Sequence, residues 1–150
     1  MSIRHHGWMV SPYSAKTRSY LRYVGLDFED LAPSAWALRF RIQEAVGRAI
    51  MPTVELPDGR WLQDSSDIID PFERGPQTAS VHPDDPVGAF GSALLEVFAD
   101  EWLPMSALHY RWSLPDNARF AIDEFAACGL PWVPRLLARR LVRPVADRMA

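Results

Sequence analysis

Along the first half of the chain, the apolar positions switch at short intervals between the alternation of a strand and the three-to-four spacing of a helix. That switching marks a compact α/β unit. Residues 3–8 form the first predicted strand. After the turn-prone Ser11-Pro12, residues 14–24 are expected to be helical, with Thr17, Leu21 and Val24 on one face and Gly25 as the stop. Residues 27–31 make a short second strand. Leu38, Ile42, Ala45, Val46 and Ala49 then recur at helical spacing, so a second helix over 36–49 crosses to the next strand and makes the sheet partly parallel. Residues 53–56 and 60–63 flank Pro57-Asp58-Gly59 and predict a β-hairpin. Asp64-Ser65-Ser66 is a strong helix start, and Asp67 adds negative charge to its first turn. A third helix from about Ser65 follows, with Pro71 expected to kink or end it. The predicted order is βαβαββα.

The stretch from Gly75-Pro76 to His82-Pro83-Asp84-Asp85-Pro86 is polar and proline-rich. It predicts a linker at 77–86 between a domain over 1–76 and a helical domain over 87–150. Val87, Phe90, Leu94, Val97, Phe98, Trp102 and Met105 repeat at helical spacing and are expected in a core, with Pro104 as a kink. A further helix is predicted after Pro115-Asp116-Asn117, using Ile122 and Phe125.

Composition narrows the function classes. With 150 residues, 48% hydrophobic and 23% charged, the chain has material for an ordinary core. No apolar run reaches the roughly 20 residues of a membrane span, and Met1-Ser2-Ile3-Arg4-His5-His6 is no signal peptide, so a cytoplasmic location is expected. The single cysteine, Cys128, has no internal disulfide partner and is expected to be a buried bystander. Residues 131–150 hold five Arg against one Asp; subtracting that +4 from the net charge of −3 leaves −7 on residues 1–130. Arg135, Arg139, Arg140 and Arg143 are read as a solvated or docking helix face, and no nucleic-acid partner is expected. His5, His6, His82 and His109 lack a ligand pattern, so no metal is expected; on a strand, His5 and His6 point to opposite faces.

A βαβαββα order with a proline just before the third strand resembles the thioredoxin superfamily. Four local signals make residues 3–112 look like a glutathione transferase: a thioredoxin-like domain followed by an all-α domain. Ser11-Pro12-Tyr13-Ser14 stands where glutaredoxins carry Cys-Pro-Tyr-Cys and several transferase classes carry Ser-Pro or Cys-Pro before an aromatic residue. With serine at both cysteine positions, dithiol exchange is not expected there. A serine hydroxyl at the positive end of a helix can instead stabilise the thiolate of glutathione, whose thiol is mostly protonated at neutral pH. The resemblance implies Ser11 in that role, with Tyr13 and Ser14 as the competing hydroxyls; an ordinary turn is the alternative for these four residues alone.

Met51-Pro52-Thr53 is similar to the family's Val-Pro-Val signature. That implies a cis proline and a main-chain bridge from Met51 to the cysteinyl backbone of glutathione, against a plain proline at the start of a strand. Leu62-Gln63-Asp64-Ser65-Ser66-Asp67-Ile68 resembles the family's Glu/Gln-Ser-x-x-Ile segment. There a helix N-terminus and Ser65 meet the α-carboxylate of the γ-glutamyl end and Asp64 its ammonium group; simple N-capping selects the same residue types. His82-Pro83-Asp84-Asp85-Pro86 resembles the family's interdomain junction.

The resemblance implies glutathione as co-substrate, no metal, and conjugation of the thiolate to a small, mostly apolar electrophile, a detoxifying reaction. It also implies a homodimer and a second-substrate pocket at Trp102, Met105 and His109. A non-catalytic binding or interaction module, and a glutathione-dependent lyase or isomerase, are the alternatives. Only 64 residues follow Pro86, fewer than the family's helical domain commonly has, so the chain is expected to be a short form or a fragment.

Overall fold

The computed structural model describes residues 2–73, 75 and 80–148. Strand β1 (Ile3–His6) leads to α1 (Pro12–Tyr23) and β2 (Phe28–Leu31). A π-helical segment (Ala37–Ile42) then runs straight into α2 (Gln43–Val46), followed by β3 (Thr53–Glu55), β4 (Trp61–Gln63) and α3 (Ser65–Glu73). Four further helices follow: α4 (Pro86–Glu101), α5 (Leu103–Ser113), α6 (Pro115–Gly129) and α7 (Arg135–Ala146). The strands form one sheet in the order β2-β1-β3-β4, with β1 parallel to β2 and antiparallel to β3, and β3 antiparallel to β4. This is a thioredoxin-like domain followed by a helical region. The chain divides into two compact units, residues 1–89 and 90–150, and part of the expected linker lies outside the described residues.

Local chemistry moved several boundaries. Ser11 caps α1, so that helix starts at Pro12 rather than Ser14; proline suits a first turn because its missing N–H has no intrahelical partner there. Gly47, at φ 80°, ends α2 at Val46 instead of Ala49. Pro71 neither ends nor visibly interrupts α3, which continues to Glu73. Pro104, expected as a kink, lies in the first turn of α5, after a break at Trp102. Among the described residues, no helix is long and apolar enough to cross a membrane.

In the first unit, α1 and α3 pack on one face of the sheet. Tyr20 and Leu21 of α1, Val54 of β3 and Ile68 and Ile69 of α3 form the core, flanked by Ile3, Phe28 and Leu62. Ile42 alone is fully buried from the segment over 37–46, which covers the alternate strand positions. There Arg41 binds Glu55 at 2.8 Å and lies over the Trp61 ring, and His6 stacks on Trp61 at 5.1 Å. Of the first helix's expected inner face, Thr17 and Leu21 are both at 0% exposure, and Val24 is half-buried at the C-cap.

In the second unit, α6 packs on α5 and α7, burying Ala121, Phe125, Ala126 and Ala138. The stripe expected in a core is not buried: Val87 is 80% exposed, Phe90 69%, Leu94 60% and Trp102 62%. Helical spacing reports that residues share a face, not what covers it.

Two predictions follow from the first unit. A β-carbon on Gly7 would lie 2.6 Å from Ser14 Oγ and 2.8 Å from His5 Cε1, both fixed and buried. Gly7→Ala should therefore cost about 1–3 kcal/mol in chemical denaturation. His5 and His6 are held below the ordinary imidazole value, chiefly because burial penalises the charged ring. Below about pH 6.5 the unfolded chain thus binds more protons than the folded one. Stability should be level above pH 6.5 and fall below it, by at most about 1.4 kcal/mol per pH unit for each histidine, as urea midpoints from pH 8 to 5 would show.

Candidate functional site

Strand register decides what meets what. His6 of β1 pairs with Thr53 of β3, and Thr53 pairs with Gln63 of β4. These three residues form one row at the same end of the sheet. The loop after His6 leads to Ser11, Tyr13 and Ser14; Met51 and Pro52 lie just before Thr53; Asp64 and Ser65 follow Gln63. Seven residues singled out in the sequence are therefore delivered by three segments to one sheet end.

Ser11 is the N-cap of α1: its backbone is extended, at φ −90° and ψ 119°, and its Oγ accepts from Ser14 N–H at 3.2 Å. This bond uses a lone pair of the half-buried hydroxyl and leaves its proton to give. The hydroxyl thus lies where unpaired N–H groups and the helix dipole favour an anion. Tyr13 is half-buried on the first turn. Ser14 differs, because it has no exposed surface, its hydroxyl has no hydrogen-bond partner among the described residues and Gly7 packs directly on it. Of the three hydroxyls it is the least accessible to a ligand.

The Met51-Pro52 peptide is cis, with Pro52 buried and Met51 half-buried. Asp64 takes a left-handed conformation at φ 71°, uncommon outside glycine but one that aspartate tolerates. Its Oδ1 accepts from Ser66 N–H at 3.0 Å and its carbonyl from Ile68 N–H at 3.0 Å, so Asp64 is the cap of α3. Ser65, on the first helical turn, is 7% exposed.

Beneath this end of the sheet lies a polar bridge that sequence spacing did not reveal, running from buried His5 and Arg18 to Asp30 at the surface. His5 has no exposed surface; its Nδ1 is 2.8 Å from Asp30 Oδ1 and its Nε2 2.8 Å from Thr17 Oγ1. Asp30 Oδ2 also accepts from Arg18 Nε at 2.5 Å. Burial opposes ionisation of Asp30, but hydrogen bonds from Arg18 and His5 outweigh it and hold the carboxyl below its ordinary range. The bridge ties β1, α1 and β2 together.

Trp102, Met105 and His109 belong to the second unit. Trp102 precedes α5, Met105 is 56% exposed on it, and His109 Nδ1 lies 3.2 Å from Ser113 Oγ. Cys128 is half-buried, and burial raises its thiol above the ordinary value, which suits no nucleophilic role. No group of three or more His, Cys, Asp or Glu among the described residues is placed to hold a metal ion.

Residues 10–74 match the family model of the glutathione S-transferase N-terminal domain. Among solved structures, the glutathione S-transferase from Methylobacillus flagellatus KT with GSH bound is 24% identical, covers 66% of this chain and 49% of its own, and has a TM-score of 0.58. The beta-etherase LigF from Sphingobium sp. strain SYK-6 is 19% identical, with 99% of this chain and 68% of that one covered and a TM-score of 0.62. A glutathione transferase homolog from Burkholderia GL BGR1 with bound glutathione is 21% identical, with 99% and 96% covered and a TM-score of 0.55. The chain thus spans about half the length of the first of these structures and nearly all of the third. No curated protein sequence gives a significant match. The matched segment, less than half of the chain, contains every candidate residue of the first unit from Ser11 to Ser65, and in this segment the chain is similar to the N-terminal domain of glutathione S-transferases.

Proposed function

We propose that the protein binds glutathione at the end of its sheet and transfers the thiolate to a small, mostly apolar electrophile. The observation that carries this reading is the Ser11 cap. Its hydroxyl keeps a proton to donate at the positive end of α1, and strand register places Met51 and Ser65 at the same end. A donor there favours the thiolate over the thiol, the step that makes glutathione a nucleophile near neutral pH. The sulfur forms the new bond to the electrophile, whose leaving group departs with the bonding pair. Met51 binds the cysteinyl backbone through its main chain, Ser65 and the start of α3 take the α-carboxylate, and Asp64 lies beside the ammonium group. The solved relatives with GSH or glutathione bound support the ligand. A homodimer in the cytoplasm accompanies this reading, with Trp102, Met105 and His109 contributing to the second-substrate pocket.

A glutathione-dependent cleavage is the second reading, favoured by the likeness to the beta-etherase LigF over 99% of this chain. The same activated thiolate would there attack an ether carbon and expel the oxygen.

Calorimetry with glutathione, followed by turnover of an activated aryl halide, tests the main reading. Ser11→Ala should lower kcat/KM by about 10- to 100-fold, the equivalent of one lost hydrogen bond to a charged group, while leaving glutathione affinity within a few-fold. Tyr13→Phe should stay near wild type; a crippled Tyr13→Phe beside a silent Ser11→Ala reverses the assignment. Because Asp64 is the cap, Ser65→Ala should weaken glutathione binding by about 1–2 kcal/mol with little loss of stability. Unchanged affinity removes Ser65 from the site.

A further inference from the structure

We infer that a chain of hydrogen bonds couples the proton on buried His5 to the hydroxyl of Ser11, making His5 and Thr17 positioning residues for that hydroxyl. The inference rests on the reading of Ser11 as the thiol-activating group, and it is built from bonds that leave little choice of direction. Ionised Asp30 can only accept, so His5 Nδ1, 2.8 Å away, carries a proton. While the ring is neutral, Nε2 is then an acceptor, and the Thr17 hydroxyl must donate its one proton to it across 2.8 Å.

Thr17 has two further acceptors in reach: the carbonyls of Tyr13 at 3.2 Å and Ser14 at 3.3 Å. Neither receives the hydroxyl proton while His5 holds it. When His5 takes up a second proton, Nε2–H becomes the donor and Thr17 Oγ1 the acceptor. The Thr17 proton turns to the nearer carbonyl, that of Tyr13. This carbonyl shares its peptide unit with Ser14 N–H, which donates to Ser11 Oγ at 3.2 Å. A hydrogen bond accepted by the carbonyl polarises the peptide and strengthens its N–H as a donor. That in turn makes the Ser11 O–H a better donor to a thiolate.

Every group is satisfied in both states, so the change needs no backbone movement. His5 and Ser14 both pack closely on Gly7, where a single added carbon would meet each of them. The charged groups that act on His5 are Asp30 on β2 and Arg18 and Arg22 on α1; its neighbour on β1 is titratable His6, and its partner on β3 is uncharged Val54. Asp30 favours the second proton, whereas burial and the two arginines oppose it and place the event on the acid side of neutrality.

Amide NMR on the whole chain tests the coupling without requiring turnover, so its outcome is separate from that of the Ser11→Ala assay. In the wild type, the Ser14 amide proton should move downfield on acidification with the same midpoint as the His5 ring. In Thr17→Val, His5 should still titrate while Ser14 stays flat. Thr17→Ser, which restores the hydroxyl without the methyl group, should return the coupled shift and shows that the loss is not one of folding. A Ser14 amide that moves equally in Thr17→Val responds only to the charge and overturns the inference. So does one that never moves in the wild type, or a His5 that stays neutral until the protein unfolds.

Discussion

The pairing of β3 with both β1 and β4 is the constraint on which the candidate site depends. Side chains alternate along a strand, and a register slip of one residue moves every side chain to the other face. With His6, Thr53 and Gln63 in one row, Val54 and Leu62 enter the core under α1 and α3, while Glu55 and Trp61 meet Arg41 on the opposite face. The same register sends the loop after β1, the cis Met51-Pro52 peptide and the Asp64 corner to one end of the sheet. The apolar packing that stabilises the domain thereby also assembles the polar segments of the site. A change that slips β3 dismantles both.

Much of this frame was legible in the sequence because it is written in local chemistry. Period switching located the strands and helices, Gly25 and the Pro57-Asp58-Gly59 turn gave boundaries, and Asp64-Ser65 announced a helix start. What was lost depended on tertiary contact. Nothing in the spacing of residues 5, 17, 18 and 30 hints that they meet, because partners on three elements share no period. Ser11 and Ser14 look alike in Ser-Pro-Tyr-Ser, yet one is a half-buried cap and the other is sealed beneath Gly7. The sequence marked Asp64-Ser65-Ser66 as a helix start without choosing the cap, and the hydrogen bonds from Ser66 N–H and Ile68 N–H assign it to Asp64. On α4, the helical stripe reported a shared face correctly and its burial wrongly, since burial belongs to the partner surface.

The second half of the chain is built on a different principle. Its helices bury mainly small residues, Ala121, Ala126 and Ala138, around Phe125, and α6 is tied to α7 by Arg135 and Arg139 on Asp123. Asp123 is held below the ordinary carboxylate range chiefly by its hydrogen bond from Arg139. These contacts orient two helices without large apolar burial. The residues proposed to bind glutathione all lie in the other unit.

The bridge of His5, Asp30 and Arg18 is not explained by stability. His5 and Arg18 are buried, and desolvation there offsets much of their attraction to the partly exposed Asp30. Apolar residues at the two buried positions, on β1 and α1, would extend the adjacent core of Leu21 and Val54 at no such cost. What apolar side chains lack is direction. Two hydrogen bonds of 2.8 Å fix the rotation of the imidazole ring, and one of them places the Thr17 hydroxyl against the first turn of α1. The polar contacts thus suit the proposed site, which needs a hydroxyl held in a defined orientation beneath the start of α1.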